Sequence, residues 1–286
     1  AYALKAGDER IPVYAFPENA AQAIGRAADY AAWRSLPEEH IWTWDDVAPD
    51  RARDVCAAAA AARGSDWLTA EETTIVLAAY GLHMTPSPLA RTAADAVDTA
   101  RILGFPVVAK LRARGLVHKT EVGGVRAHLS NAEAVASAFD ELAGAAQAHQ
   151  LAFEGVCIQP MSQGGTEVMV GVARDPAFGP MVAFGLGGVD VEVMGDAQFG
   201  LAPLTDRDVS NLILHSRARR LLTGHRGRPP GDLEALTDLL SRISALADAV
   251  PEMAEMDLNP VFVLARGEGC ELVDVRIKVS PVRVTS

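Results

Sequence analysis

Two segments near the end of the chain constrain its fold most, because polar and apolar residues alternate in each of them. The first covers residues 254–264 and the second residues 271–278. Side chains alternate across a strand, so the polar residues of each segment share one face. A glycine-rich stretch, Gly267 to Gly269, separates the segments and suits a turn, so the pattern predicts a β-hairpin. The residues on its polar face are Glu255, Asp257, Asn259, Asp274, Arg276 and Lys278.

This polar face has two interpretations. Carboxylate and amide oxygens at this spacing suit magnesium held beside phosphate oxygens. Any half-exposed hairpin, however, also alternates polar and apolar residues. The residues of the hairpin alone leave both interpretations open.

Composition narrows the class of protein. The net charge is −11 and the pI is near 5.1, so neither nucleic acid nor an anionic membrane is an expected partner. The 286 residues are 49% apolar, which is ample for a packed core, and no apolar run reaches the length of a membrane span. The three cysteines have neither disulfide nor zinc-site spacing, which fits a reducing compartment. We therefore expect a cytoplasmic protein.

The first 65 residues are rich in alanine and are interrupted by prolines. Helical spacing is present over 17–33, and 51–63 is helix-prone, whereas no run of strands is predicted. We interpret residues 1–65 as a helical linker or as the tail of a preceding domain. From Asp66 onward, the alanine-rich composition gives way to alternating helix and strand signals.

Beyond Asp66, helices and clustered strands are predicted from start and stop signals. Thr69 to Glu72 forms a capping box, and the helix that it opens ends near Gly81. Further helices are predicted over 92–103, 130–149, 206–222 and 232–250. Strands are predicted over 106–111, 125–129, 155–161, 166–173, 181–185 and 189–194. Because the strands cluster, the order favours an α+β fold with largely antiparallel sheets.

A basic loop follows the first of these strands. Lys110 ends the apolar strand, and His118 lies among basic residues in the loop 112–125. Gly123 and Gly124 let backbone amides approach an anion closely, and a histidine among cations could accept a phosphoryl group. A lysine at a strand end and an exposed basic loop are also ordinary surface features. Both interpretations stand on the residues alone.

A second glycine-rich turn contains Gly187 and Gly188, which could serve a phosphate or merely a tight turn. The strand end at Gln159 and Met161 could frame a purine base through backbone groups. Glu167 begins the next strand. These assignments rest on spacing.

Several motifs in one order resemble the ATP-grasp domain of the NDP-forming acyl-CoA synthetases. That family includes the ADP-forming acetate–CoA ligases and is related to the β-subunit of succinyl-CoA synthetase. The resemblance covers about residues 66–279. The motifs occupy residues 80–82, 104–110, 118–125, 175–180, 185–189, 224–227 and 257–260.

The resemblance implies an ATP-grasp fold, in which two α+β subdomains clasp a nucleotide. Its expected domain covers 66–286, with subdomains of about 66–154 and 155–279. Residues 11–18 resemble the exit from the CoA-ligase portion that precedes this domain in single-chain members of the family. The CoA-binding portion itself is expected to lie outside this chain.

The resemblance also implies roles for matched residues. Lys110 would contact nucleotide phosphates, and Asn259 and Asp274 would hold Mg²⁺, with Asp257 a neighbouring ligand. His118 would be catalytic, relaying a phosphoryl group to or from ATP or ADP. The remaining expected nucleotide contacts are Gly123, Gly124, Gln159, Met161, Glu167, Gly187 and Gly188.

The implied reaction is acid + CoA + ATP ⇌ acyl-CoA + ADP + phosphate, through a phosphohistidine relay. The expected partners are the nucleotide and a CoA-ligase portion or subunit that carries the primary phosphohistidine. An alternative is a non-catalytic nucleotide-sensing module fused to an acetyltransferase domain, in a protein lysine acetyltransferase. We expect the isolated chain to bind nucleotide without completing the ligase reaction.

Overall fold

The computed structural model describes residues 2–114, 122–162, 164–187, 197–224 and 229–282. His118, Gly188 and the strand predicted over 189–194 lie outside the described residues. Contacts divide the chain into two compact units, Ala1–His40 and Ile41–Ser286. Each unit is described by itself.

The first unit contains an antiparallel hairpin and a helix. The hairpin consists of β1 (Tyr2–Ala6) and β2 (Glu9–Val13), and the helix is α1 (Pro17–Arg34). The helix predicted over 17–33 is confirmed. The expectation of no strands in this region was wrong, because β2 contains Pro12, a residue type that is depleted in strands and weakens their sequence signal.

The helices of the second unit largely follow their predicted signals. The capping box at Thr69 is present, with Glu72 as its reciprocal partner. The helix predicted over 206–222 is broken at Ser216, whose backbone is extended and whose hydroxyl donates to the Ile213 carbonyl at 3.1 Å. The helices are α2 (Pro49–Arg63), α3 (Ala70–Ala78), α4 (Ala93–Leu103), α5 (Ala132–Ala148), α6 (Asp206–His215), α7 (Ala218–Leu222) and α8 (Leu233–Ala249).

The strands predicted on described residues of the second unit are present, and β3, β4 and β10 are additions that the sequence did not reveal. The strands are β3 (Asp66–Trp67), β4 (Leu89–Ala90), β5 (Val107–Arg114), β6 (Val125–Leu129), β7 (Ala152–Pro160), β8 (Thr166–Asp175), β9 (Gly179–Leu186), β10 (Gln198–Leu201), β11 (Met253–Val263), β12 (Cys270–Leu272) and β13 (Val275–Val279). Every paired strand in the described residues is antiparallel, as expected.

The smaller sheet of the second unit has the order β4-β7-β5-β6. Helices α4 and α5 pack on one of its faces. On β5, Val107, Ala109 and Leu111 are buried toward these helices, so Lys110 and Arg112 point to the opposite face. The boundary expected near residue 155 falls inside β7, which belongs wholly to this sheet.

The larger sheet has the order β10-β9-β8-β11-β13-β3, with β12 also paired to β11. Its buried face packs against α6 and α8, and α2 and α3 pack beside β13. The predicted hairpin is present, with Asp257 opposite Arg276 in the register. Its second strand, however, is interrupted at Val273 and Asp274 into β12 and β13, which both pair with β11. Met256, Leu258 and Ile277 are buried, so the polar set lies on the other face of the sheet.

One connecting segment is bonded to both sheets. Met84 forms a bridge with Leu272, and the Thr85 N–H donates to the Leu272 carbonyl at 2.8 Å. A few residues later, the Ile158 N–H donates to the Pro88 carbonyl at 3.0 Å. The segment therefore ties the edge of β12 to β7. Among the described residues, no helix is both long and apolar enough to cross a bilayer.

Candidate functional site

A cleft lies between the exposed face of the smaller sheet and the strands β3 and β13 of the larger one. It encloses about 660 Å³ and mixes basic, acidic and aromatic side chains. Such a mixture can neutralise an anion and also pack against a planar group. The lining includes Arg63, Trp67, Lys110, Arg112, Glu154, Cys157, Asp274 and Arg276.

Lys110 extends from β5 toward the larger sheet. Its ammonium Nζ donates a hydrogen bond to the backbone carbonyl of Val273 at 3.0 Å. Val273 directly precedes Asp274, which also lines the cleft. The residue predicted to contact phosphates and a residue predicted to bind metal are therefore brought to the same cleft from two different sheets.

Gln159 is buried behind this contact, with 2% of its surface exposed. Its side-chain Nε2 donates to the carbonyl of Val273 at 3.0 Å and to that of Thr85 at 3.2 Å. The Met161 N–H donates to the Pro106 carbonyl at 3.1 Å. The Gln159 side chain thus connects β7 to the segments that contain Thr85 and Val273. The Met161 N–H bonds the residue after β7 to Pro106, just before β5. The role predicted for their backbone groups around a purine stays a prediction.

The polar face of the hairpin is an ordered set of charges. Asp257 and Arg276 form an ion pair of 3.0 Å. Burial raises the pKa of the Asp257 carboxyl above its usual value, although Arg276 acts in the opposite direction. The guanidinium of Arg276 and the ammonium of Lys278 lie 5.6 and 5.7 Å from the centre of the Trp67 ring. Cation–π contacts therefore hold β3 against β13.

Asn259 and Asp274, the two predicted metal ligands, are adjacent across the hairpin. The Asn259 N–H donates to the Asp274 carbonyl at 3.3 Å. Within the described ranges, no group of three or more His, Cys, Asp or Glu side chains could hold a metal ion by itself. One carboxylate and one amide oxygen nevertheless suit Mg²⁺, which commonly takes few protein ligands and completes its shell with water and substrate phosphates.

Two of the glycines predicted to contact nucleotide, Gly123 and Gly124, accept hydrogen bonds through their backbone carbonyls. The Gly123 carbonyl accepts a hydrogen bond from Arg126 at 2.7 Å, and the Gly124 carbonyl accepts one from the Leu111 N–H at 2.8 Å. These bonds fix the start of β6 beside β5.

Gly187 follows β9 and is held against β8. Its N–H donates to the Glu167 carbonyl at 2.9 Å, and a Cβ at this position would lie 2.8 Å from the backbone carbon of Val168. Gly187 and Glu167 are thereby brought together, and only glycine fits this close approach. In the pairing of β8 with β11, Glu167 lies opposite Phe262, on the same face as Asp257.

The sequence did not single out the carbonyls of Thr85 and Val273, because backbone acceptors leave no mark on residue type. It also missed Trp67 and Arg63. Arg63 is held by a bidentate contact to Glu72, with a shortest distance of 2.6 Å, and this hydrogen bond lowers the pKa of the Glu72 carboxyl. The nearby capping box was the available signal for this corner of the cleft.

Comparison with known proteins points to one family of domains. A family model described as an ATP-grasp domain matches residues 59–279. The 4-hydroxybutyrate–CoA ligase (ADP-forming) of Nitrosopumilus maritimus is 35% identical over 272 residues, which cover 94% of this chain and 39% of that protein. The β subunit of acetate–CoA ligase (ADP-forming) II of Pyrococcus furiosus is 38% identical over 219 residues, covering 76% of this chain and 93% of the subunit.

A solved structure shares the fold. It is the dinucleotide forming acetyl-coenzyme A synthetase 1 of Ca. Korarchaeum cryptofilum in complex with coenzyme A and Mg-AMPPCP, with its phosphohistidine segment pointing towards the nucleotide binding site. The TM-score is 0.66 and the identity 38%, over 80% of this chain and 99% of that one. The relatives described here are named as ligases or synthetases, so they give the acetyltransferase alternative no support.

Proposed function

Because this chain belongs to the ATP-grasp domain family of the ADP-forming acyl-CoA ligases, we propose that it binds the nucleotide and handles the phosphoryl group in such a ligase. The chain spans 39% of the length of the single-chain Nitrosopumilus relative. The acid and CoA would then be bound mainly by a CoA-ligase portion or partner subunit. That portion would carry the histidine that is phosphorylated first.

One observation carries the proposal. Lys110 and Asp274 come from different sheets, and the 3.0 Å contact of Lys110 with the Val273 carbonyl places them at the same cleft. A cation and a carboxylate in that arrangement can hold a nucleotide phosphate from both sides, the carboxylate acting through a metal. Mg²⁺, held by Asn259 and Asp274, would neutralise charge on the phosphate oxygens when bound.

The proposed step is a transfer between the nucleotide and a histidine. In the direction of histidine phosphorylation, the bond between the γ-phosphorus and the β,γ-bridging oxygen of ATP breaks. A bond from that phosphorus to a histidine nitrogen forms, and ADP leaves. Lys110 would stabilise negative charge on the transferred group, which is the main task of such a site. His118 is the proposed relay residue within this chain.

Nucleotide titration followed by a transfer assay tests the function. The chain should bind ADP with a dissociation constant below the millimolar range, and should require Mg²⁺ to do so. When the CoA-ligase portion is added with acyl-CoA and phosphate, ATP should form from ADP. Lys110→Met should lower that rate about 100-fold, the usual order for removing a group that stabilises transition-state charge. Lys5→Met is the matched control, because Lys5 is exposed in the first unit.

Two results would count against the proposal. Absence of magnesium-dependent binding at millimolar nucleotide would remove the nucleotide site altogether. Equal rates for the wild type, Lys110→Met and His118→Ala would contradict the catalytic role of this site and favour a nucleotide-sensing module.

A further inference from the structure

The carbonyl of Val273 accepts two side-chain hydrogen bonds at once. Lys110 Nζ and Gln159 Nε2 each donate to it at 3.0 Å. A carbonyl oxygen has two lone pairs, so these donors fill it. Val273 is only 9% exposed, so solvent has little access to replace either donor.

The two donors differ in their freedom to move. Gln159 is 2% exposed, and its amide also bonds to the Thr85 carbonyl at 3.2 Å. Both amide hydrogens are therefore used, and they point at two separate segments. Lys110 is half-buried on the face that lines the cleft, and its flexible stem lets the ammonium reach other acceptors.

These contacts determine whether the Val273 carbonyl keeps a hydrogen-bond donor when nucleotide binds. If Lys110 moves to a phosphate, its bond to Val273 breaks. A buried carbonyl left without any donor is costly, and the backbone carrying it would tend to shift. Because Gln159 still donates to the same oxygen, Val273 stays paired and Asp274, the next residue, keeps its place.

We propose that Gln159 is a positioning residue, which holds the Val273–Asp274 backbone in place while Lys110 exchanges the Val273 carbonyl for a nucleotide phosphate. The inference rests on the proposed function, since it concerns Lys110 and Asp274 at the same site. It assigns the Gln159 side chain to phosphate and metal geometry. The predicted framing of the purine concerns backbone groups, so the alternative to be tested is a contact between the Gln159 side chain and the purine.

The two roles predict different patterns of loss. A residue that frames the purine affects adenosine and ADP alike, because both carry the base. A residue that positions Lys110 and Asp274 affects only the part of the ligand that those residues meet. Adenosine, which lacks phosphate, should then be insensitive to the Gln159 amide.

The test compares adenosine with MgADP on the chain by calorimetry, using competition for the weaker ligand. Gln159→Met keeps the length of the side chain and removes the amide, and Gln159→Glu keeps its shape and replaces the NH₂ donor by an oxygen. Both variants should bind MgADP about tenfold more weakly, and adenosine within twofold of wild type. Gln147→Met, at an exposed position of α5, should change neither affinity.

A double-variant cycle adds a readout that a purely structural role would not move. In the Lys110→Met background, Gln159→Met should weaken MgADP binding by less than in the wild type, because the exchange that Gln159 supports no longer occurs. Circular dichroism and the thermal midpoint select the variant that remains folded, and either variant suffices.

Three outcomes of these binding measurements would count against the inference. Equal losses for adenosine and MgADP would overturn the inference in favour of a contact between the Gln159 side chain and the purine. Unchanged binding of both ligands by a folded variant would also overturn it. Failure of the wild type to bind MgADP would reject the proposed function itself, and the inference with it.

Discussion

Asp257 and Arg276 face each other across β11 and β13, and their side chains form an ion pair of 3.0 Å. This ion pair gives different environments to Asp257 and Asp274, the two acidic residues among the predicted metal ligands. The carboxylate of Asp257 is bonded within the hairpin, whereas Asp274 lines the cleft. Asp274 is accordingly the stronger expectation for a magnesium ligand, and Asp257 for a residue that orders the surface beside it.

Replacing Asp274 by alanine should weaken magnesium-dependent ADP binding by about 10- to 100-fold, the usual range for groups that set metal affinity. The free energy of unfolding without ligand should stay within about 1 kcal/mol of wild type, because the side chain is half-exposed. Calorimetry with and without Mg²⁺, together with urea unfolding, measures both quantities. Asp98→Ala, whose side chain is 71% exposed on α4, is the control. A large loss of stability with unchanged affinity would make Asp274 a structural residue.

Asp232 should contribute more to stability than an ordinary helix cap. Its carboxylate accepts hydrogen bonds from the N–H groups of Ala235, Gly267 and Gly269 at 3.1, 2.9 and 3.0 Å, which joins the start of α8 to the turn between β11 and β12. Asp232→Ala should lower the free energy of unfolding by about 2 kcal/mol at neutral pH. Asp232→Asn, which keeps one acceptor oxygen, should lose less. Urea denaturation measures both, and a change below the experimental error for alanine would contradict the assignment.

The contribution of Asp232 should also depend on pH. The hydrogen bond from the Ala235 backbone, with help from those of Gly269 and Gly267, lowers the pKa of the Asp232 carboxyl below its usual value. A carboxyl whose pKa is lower in the folded state stabilises the fold above its unfolded pKa, and this effect is lost as the pH falls through the folded pKa. The stability difference between wild type and Asp232→Ala should therefore be largest near neutrality and narrow in acid. A difference that stays constant over that range would argue against a role for the ionised carboxylate.

Gly187→Ala should be much more harmful than another glycine-to-alanine change. The new Cβ would meet the Val168 backbone at 2.8 Å, so β8 or the turn after β9 must shift. We expect a loss of stability of about 1–3 kcal/mol and weaker nucleotide binding. Gly144→Ala lies in α5 with nothing within 4 Å and should raise stability by up to about 1 kcal/mol. Thermal unfolding of the pair measures the contrast, and similar midpoints would show that the approach at Gly187 is not tight.

Cysteine labelling should report occupation of the cleft. Burial raises the pKa of the Cys56 and Cys270 thiols to about 12, so at pH 8 neither should react readily with a maleimide. Cys157 lines the cleft and should react first. MgADP at ten times its dissociation constant should slow that reaction about tenfold if bound nucleotide covers the thiol. Mass spectrometry after timed quenching identifies the labelled site, with urea-unfolded protein as the control for all cysteines.

Local signals in the sequence predicted most of the secondary structure. The Thr69 capping box, the helix expected over 232–250 and the alternation around Asp257 each depend on residues close together in the chain, and each was confirmed. The break at Ser216 was missed because the polar spacing continues across it, while the buried backbone there is extended. The strand β2 was missed because Pro12 hides its pattern.

The site was only partly predictable for a different reason. Lys110 and Asp274 could be proposed from motif order, but their meeting point is a backbone carbonyl at Val273, more than 160 positions from Lys110. No residue-type pattern reveals which carbonyl a distant side chain will reach. The same holds for Trp67, whose partners Arg276 and Lys278 are chosen by the pairing of β3 with β13.

The pairing of β3 with β13 makes the first and last strands of the larger sheet neighbours, with Trp67 opposite Lys278. The chain thus enters and leaves this sheet through neighbouring strands. The smaller sheet is formed entirely by residues that lie between these two strands in the sequence. Modules with adjoining entry and exit can be spliced into longer polypeptides without forcing the flanking parts apart.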